Sequence, residues 1–207
     1  MLMKPILDAM NLPPIAAPRS RPLVVGIGGT TRHGSSSEIA LRLALAAAEE
    51  AGAETLAFCG TAIDFPMYAP ERPERSGTAL DFIEAIRAAD GVIISSPGYH
   101  GSISGLIKNA LDYIEDTRSD TRAYLDGRAV GCIVCAHGWQ ATGSTLAAMR
   151  SIVHALRGWP TPLGATINTS LPVFQAGTCV DADIAARLAE VGRQVVTFAQ
   201  AQRQLLA

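Results

Sequence analysis

Gly26-Ile-Gly-Gly-Thr-Thr-Arg-His-Gly-Ser-Ser-Ser37 decides how the rest of the chain is read. Ahead of it, Leu23-Val-Val25 is a short apolar run with β-branched residues, the pattern of a buried strand. Behind it, Glu38 to Ala51 is rich in helix formers and stops at Gly52, a natural helix terminator. The stretch is therefore a glycine- and hydroxyl-rich turn between a strand and a helix. Ser35, with Glu38 three residues on, fits a capping box and marks the helix start.

A helix start presents unpaired N–H groups and the positive end of the dipole, which together favour an anion. Thr30, Thr31, Ser35, Ser36 and Ser37 add hydroxyl donors, and Arg32 adds a planar fork suited to phosphate. No Asp or Glu occurs between Gly26 and Ser37, so nothing in the segment repels a dianion. The plain alternative is an ordinary capped turn. Two better-known phosphate loops fit poorly. The dinucleotide fingerprint begins at Gly26 and Gly28, but Thr31 stands at its third glycine. The P-loop spacing is met at Gly29 and Gly34, but Ser35 replaces its lysine, and Val92-Ile-Ile94 does not lead into a magnesium-binding Asp. A single phosphomonoester, such as that of FMN, suits the turn better.

A chain of 207 residues is one domain by length, with material for a substantial core. A formal net charge of −2 argues against a general nucleic-acid binder. No apolar run reaches a membrane span and no signal-peptide pattern opens the chain, so a cytoplasmic protein is expected. Cys132 and Cys135 form a C-x-x-C spacing, but within an apolar strand they point to opposite faces and read as buried structural thiols. Cys59 and Cys179 form no second close pair, so no metal site is expected.

Residues 1–21 carry Pro5, Pro13, Pro14 and Pro18 and read as an irregular arm, apolar enough to pack against the body or a neighbouring subunit. Residues 22–207 form the domain. Strands are expected at Leu23 to Ile27, Glu54 to Phe58, Gly91 to Ser95, Ala129 to Cys135 and Gly164 to Asn168. Helices are expected at Ser36 to Ala51, Gly77 to Ala89, Ser104 to Glu115, Ser144 to Arg157 and Asp181 to Leu206. In the second helix, Leu80, Ile83 and Ile86 should face the core. The alternation implies an α/β three-layer sandwich with a five-stranded parallel sheet, and the flavodoxin-like order 2-1-3-4-5 leads. Such a fold binds its ligand beyond the carboxyl ends of strands one and three.

The turn after the third strand should then be unusual, and it is: Ser95-Ser-Pro-Gly-Tyr-His-Gly-Ser-Ile-Ser-Gly105. Its glycines admit a flat ring close to the backbone, amides from Gly98 to Gly101 can meet a polar ring edge, and Tyr99 can form a wall. The alternative is a breaker-rich turn with Tyr99 and His100 merely exposed. After the fourth strand comes Ala136-His-Gly-Trp-Gln-Ala-Thr-Gly143, where His137 and Trp139 can complete a pocket, or Trp139 can fill an interface. His154 reads as structural.

Gly29-Thr-Thr-Arg-His-Gly-Ser-Ser-Ser37 and Ser96-Pro-Gly-Tyr-His-Gly-Ser-Ile-Ser-Gly-Leu-Ile-Lys-Asn-Ala-Leu-Asp112 resemble the two flavin loops of the NADPH-dependent FMN reductase family. The matches fall at Thr30, Arg32, Ser35, Pro97, Tyr99, Ser102, Gly105, Lys108 and Asn109. The third loop departs, with His137-Gly138-Trp139 where the family often has a double glycine. The resemblance implies that Thr30, Arg32, Ser35 and Ser37 bind the FMN phosphate. It implies that Pro97, Gly98, Tyr99, His100, Gly101 and Ser102 hold the ring, with His137, Gly138 and Trp139 closing the pocket. It further implies hydride transfer from NADPH or NADH to FMN, with no side-chain catalytic base and no metal. Electrons would pass on to free flavin, a flavin-dependent monooxygenase, or a quinone, azo or metal-oxyanion acceptor, and the protein would be a homodimer or homotetramer. A flavodoxin-like electron carrier is the rival reading, weakened by the absence of strong acidity.

Overall fold

The computed structural model describes residues 19–205. Residues 1–18 of the arm expected at 1–21, and Leu206, the expected end of the last helix, lie outside the described residues. The chain runs β1 (Leu23–Gly28), α1 (Ser36–Glu50), β2 (Glu54–Cys59), α2 (Gly77–Ala88), β3 (Gly91–Tyr99), β4 (Ser102–Ile103) and α3 (Gly105–Asp112). It continues through β5 (Ala129–Ala136), α4 (Trp139–Ala155), β6 (Trp159–Asn168), β7 (Phe174–Gln175), β8 (Thr178–Cys179) and α5 (Ala182–Leu205). The five long strands are parallel in the order β2-β1-β3-β5-β6, which is the expected 2-1-3-4-5 once the short β4 is set aside.

Successive strand residues supply opposite cores, as the period of two requires. On one face Val25, Ile27, Val92, Ile94, Val130 and Val134 pack against Phe82 and Ile86 of α2, Ile107 of α3, and Met149 and Val153 of α4. On the other, Val24, Ile93 and Ile133 pack against Leu41 and Leu45 of α1 and Leu188, Val191 and Val195 of α5. Cys132 joins the first core and Cys135 the second. Burial pushes both thiols up to about 12, so neither is a thiolate at neutral pH. Gly192 permits the contact between the two helices of the second face, because a Cβ there would strike the backbone of Ala44.

Arg128 is fully buried, and among the described residues no carboxylate forms an ion pair with it. Its guanidinium donates instead to the carbonyls of Ala89 at 2.9 Å, Tyr124 at 3.0 Å and Arg87 at 3.0 Å. It thus ties the start of β5 to the end of α2. Burial holds its pKa down to about 10.

Four boundaries and one face differ from expectation. β3 runs on to Tyr99 rather than stopping at Ser95. Beyond Ser95 it has lost its β1 neighbour, and a free edge tolerates Pro97. β6 begins at Trp159, joined to β5 through a bulge between Val130 and Cys132. The third helix ends at Asp112 and tightens into a 3-10 turn over Tyr113–Thr117. α4 starts at Trp139, not Ser144. Thr142 Oγ1 donates to Trp139 O and Ser144 Oγ to Gln140 O, and Gly143 faces open space, so the glycine does not break the helix. Leu80 is 51 % exposed, because Ala79 and Phe82 take the inward face of α2 beside Ile83 and Ile86.

Candidate functional site

β1, β3 and β5 are neighbours, with Gly28 paired to Ser95 and Pro97 to Cys135. The three turns that follow them therefore leave the same end of the sheet. Direct bonds join them. Ser95 Oγ donates to Ser37 O at 2.8 Å, linking the first turn to the second strand of the site. Thr145 Oγ1 of α4 lies 3.4 Å from Ser102 O, linking the second turn to the third helix of the site.

The first turn is built from its own residues. Gly29 takes φ +91°, a conformation that favours glycine, and turns the chain over the start of α1. Thr30 Oγ1 accepts from Arg32 N at 3.1 Å, and Ser35 Oγ accepts from Glu38 N at 3.4 Å as the N-cap. Ser35 Oγ and Ser37 Oγ lie 3.5 Å apart, both buried. The first amides of α1 have no intrahelical acceptor. Arg32 is exposed, and among the described residues nothing pairs with its guanidinium. Thr30, Arg32, Ser35 and Ser37 are thus brought together at one helix start.

One feature of this turn corrects the expectation that nothing local repels a dianion. Glu38 folds back beneath the turn, 2 % exposed, and its Oε2 accepts from Gly34 N at 2.8 Å. Arg42 Nε donates to Oε1 at 3.0 Å, and His33 Nδ1 lies 3.3 Å from the same oxygen. The capping-box acid therefore reaches Gly34 instead of Ser35. Its charge is balanced by Arg42 one turn on, so the turn keeps its appeal to an anion. The capping-box spacing was the signal that a carboxylate would lie here.

The second turn is a tight hairpin, not an open loop. Gly98 pairs with Ile103 and Tyr99 with Ser102 across His100 and Gly101, whose φ values are 52° and 85°. Two central residues with positive φ match the twist of a hairpin. Tyr99, His100, Gly101 and Ser102 are exposed at its tip, and Pro97 is buried at its root. Gly98 leaves no room for a side chain: a Cβ there would sit 2.8 Å from Thr145 Oγ1 and 2.9 Å from the Ala136 methyl. Buried Ser96 Oγ accepts from Ser104 N at 3.0 Å and closes the hairpin's base.

The third turn is short, only His137 and Gly138, with Trp139 already helical and 56 % exposed. Gly138 is the N-cap of α4, which has no side-chain cap bond. His154 lies exposed along the helix, away from the turn. Of the Lys-Asn pair, Lys108 bridges to Asp112 at 2.5 Å. Asn109 clamps the neighbouring loop, its Oδ1 accepting from Tyr68 N at 2.8 Å and its Nδ2 donating to Phe65 O and Pro66 O. Further out in that loop, Arg75 grips Asp116 with two nitrogens at 2.6 and 2.9 Å and holds its carboxyl below the usual range. Among the described residues no group of three or more His, Cys, Asp or Glu could hold a metal ion. None of the described helices is long and apolar enough to cross a membrane.

Sheet order and the clustering of three turns at the β1/β3 switch point define the class: a flavodoxin-like α/β protein. Within that class the chain belongs to the NADPH-dependent FMN reductase family, whose model matches residues 22–170. It is similar to the FMN-dependent NADPH-azoreductase of Staphylococcus haemolyticus (strain JCSC1435), with 34% identity over 100 residues, 48% of this chain and 50% of that protein. It is also similar to the NADPH azoreductase of Bacillus sp. (strain OY1-2), with 36% identity over 55 residues, 26% of this chain and 31% of that protein. The matched stretch thus spans half or less of these curated relatives. Among solved structures, an oxidoreductase from Corynebacterium diphtheriae superposes with a TM-score of 0.65 at 20% identity, covering 88% of this chain and 99% of that one. The flavoenzyme NAD(P)H:(acceptor) oxidoreductase FerB from Paracoccus denitrificans gives a TM-score of 0.65 at 20% identity, covering 88% and 98%. Those two likenesses establish the fold.

Proposed function

We propose that this chain binds FMN across the three turns and reduces it with NADPH or NADH, handing the electrons to a second acceptor. The observation that carries the reading is the junction of an exposed Arg32 and a hydroxyl-lined helix start with a glycine hairpin at one sheet edge. Thr30, Ser35, Ser37 and the first amides of α1 would bind the phosphate, with Arg32 closing over it. Pro97 to Ser102 would orient the ring, and His137, Gly138 and Trp139 would bound it. Bound FMN would supply the redox chemistry, that of hydride uptake from a nicotinamide and electron release to an acceptor. The uncapped start of α4 would steady negative charge on the neighbouring ring edge. No side-chain base is needed.

Anaerobic titration of FMN-loaded protein with NADPH and with NADH tests this. Bleaching of the flavin absorbance is expected; a protein that binds no FMN, or flavin that stays oxidised, would overturn it. Tyr99, Trp139 and, on the next turn, Leu171 are large and at least half exposed, a rim suited to a flat aromatic acceptor. That favours an azo compound or a quinone, in keeping with the activity in the relatives' names. Free flavin, a metal oxyanion and a flavin-dependent monooxygenase are the competing acceptors, and relative rates with each would rank them. The same exposed rim supports a homodimer or homotetramer, which mass measurement in solution would test. A nicotinamide reductant suits the cytoplasm.

A further inference from the structure

Among the described residues, neither His137 nor Trp139 of the third turn makes a side-chain hydrogen bond. Gly138 sits at φ +113° and ψ 145°, a region few residues but glycine enter, and no side chain caps the helix it opens. What holds it comes from another strand. Asn168, the last residue of β6, is 6 % exposed, and its Oδ1 accepts from Gly138 N at 2.9 Å. The same oxygen accepts from Ser170 N at 3.1 Å and Ser170 Oγ at 2.7 Å. Alongside, Thr169 N donates to Ala136 O at 2.9 Å. Three donors on one side-chain atom fix which end of the carboxamide faces the turn, since the amide nitrogen accepts from none of them.

Gly138 O in turn accepts from Thr142 N at 3.3 Å and starts α4. The bond from Asn168 therefore sets the direction of the helix start and, with it, the place of the Trp139 ring. We propose that Asn168 is a positioning residue: by pinning the Gly138 peptide it sets the wall of the flavin cleft that the third turn provides. This rests on the flavin reading for its functional consequence, though not for the tether itself.

The chain has two tryptophans, Trp139 and Trp159. Trp159 is 59 % exposed and stacks on Phe198, so Trp159→Phe keeps a ring there and leaves Trp139 as a single reporter of the turn. In that background Asn168→Leu, of similar size but without an acceptor, should lower Trp139 anisotropy and raise its quenching by acrylamide. It should also weaken FMN binding at least tenfold and raise KM for the nicotinamide more than it lowers kcat. Asn168→Asp keeps an acceptor for all three donors and should return Trp139 anisotropy to the parent value. A folded Asn168→Leu protein with parent anisotropy and parent FMN affinity would overturn the proposal. So would an Asn168→Asp protein in which Trp139 is looser than in the parent, an outcome that decides the matter even where leucine prevents folding. If the parent protein binds no FMN, the flavin reading falls, while the Trp139 signal still decides whether Asn168 tethers the turn.

Discussion

The first and third turns do the same structural work, ending a strand and opening a helix at one edge of the sheet, but they are held in opposite ways. The first is tied by bonds between residues two to four apart: Thr30 to Arg32, Ser35 to Glu38, Gly34 to Glu38, and Glu38 to Arg42. A distant tie runs from Ser95 to Ser37. The third is held by a bond between Gly138 and Asn168, thirty residues on. The first can form as soon as α1 forms, because caps and short-range turns need no tertiary partner. The third exists only once β6 has docked against β5. A site assembled from both has one wall that is pre-formed and one whose order depends on the sheet being complete.

Substitutions in the first turn should therefore act on ligand or helix separately, whereas those in the third act on cleft shape. The largest effect is expected at Arg32. Arg32→Ala should weaken FMN binding by about 1.5–3 kcal/mol, the range for a charge-assisted hydrogen bond, with unfolding unchanged because the side chain holds nothing in the fold. Fluorescence titration of FMN would measure it, and unchanged affinity would remove the phosphate from this turn. Next, Ser35→Ala should cost about 1 kcal/mol of stability through loss of the N-cap, read by urea unfolding. A silent result would mean that α1 starts without its cap and that the first turn is less self-contained than its bonds imply.

Glu38 separates shape from charge. Glu38→Gln keeps an acceptor for Gly34 N–H and removes a negative charge from beneath the anion, so FMN affinity should hold or rise. Glu38→Ala removes both and should lose about 0.5–1 kcal/mol of FMN binding, the lost hydrogen bond to the turn being partly offset by removal of the like charge. Glutamine binding more weakly than alanine would sink this account. The smallest effect is a control that touches neither turn. Asp116 is held below its ordinary pKa, first by the hydrogen bonds from Arg75. Its contribution to stability is full above the unfolded carboxyl pKa and is lost as pH falls through the lower folded value. Asp116→Asn should flatten that part of the acid unfolding curve and leave FMN affinity at neutral pH untouched.

These contrasts also mark what could be read from residues alone. Ser35 and Glu38 were legible as a capping pair because the spacing that bonds them is a spacing in sequence. The acid's fold-back onto Gly34 was not, since one residue of difference in its partner depends on the path of the turn. Pro97 and Gly98 read as loop residues by composition, yet they extend β3, because pairing with Cys135 and the hairpin with β4 outweigh their low strand propensity. Gly143 read as the end of the turn, yet α4 runs through it, since exposed glycine costs only about 1 kcal/mol and packing outweighs that. Asn168 carried no signal at all: a polar residue ending an apolar strand looks like any strand end until its partner arrives.

The order of elements, the two buried faces and the phosphate-like turn were set by local periodicity and capping, which act between residues a few positions apart. The length of β3, the hairpin that raises Tyr99, the start of α4 and the tether on Gly138 were decided only by the folded sheet. Each depends on groups far apart in the chain, and no spacing in sequence encodes which of them will meet.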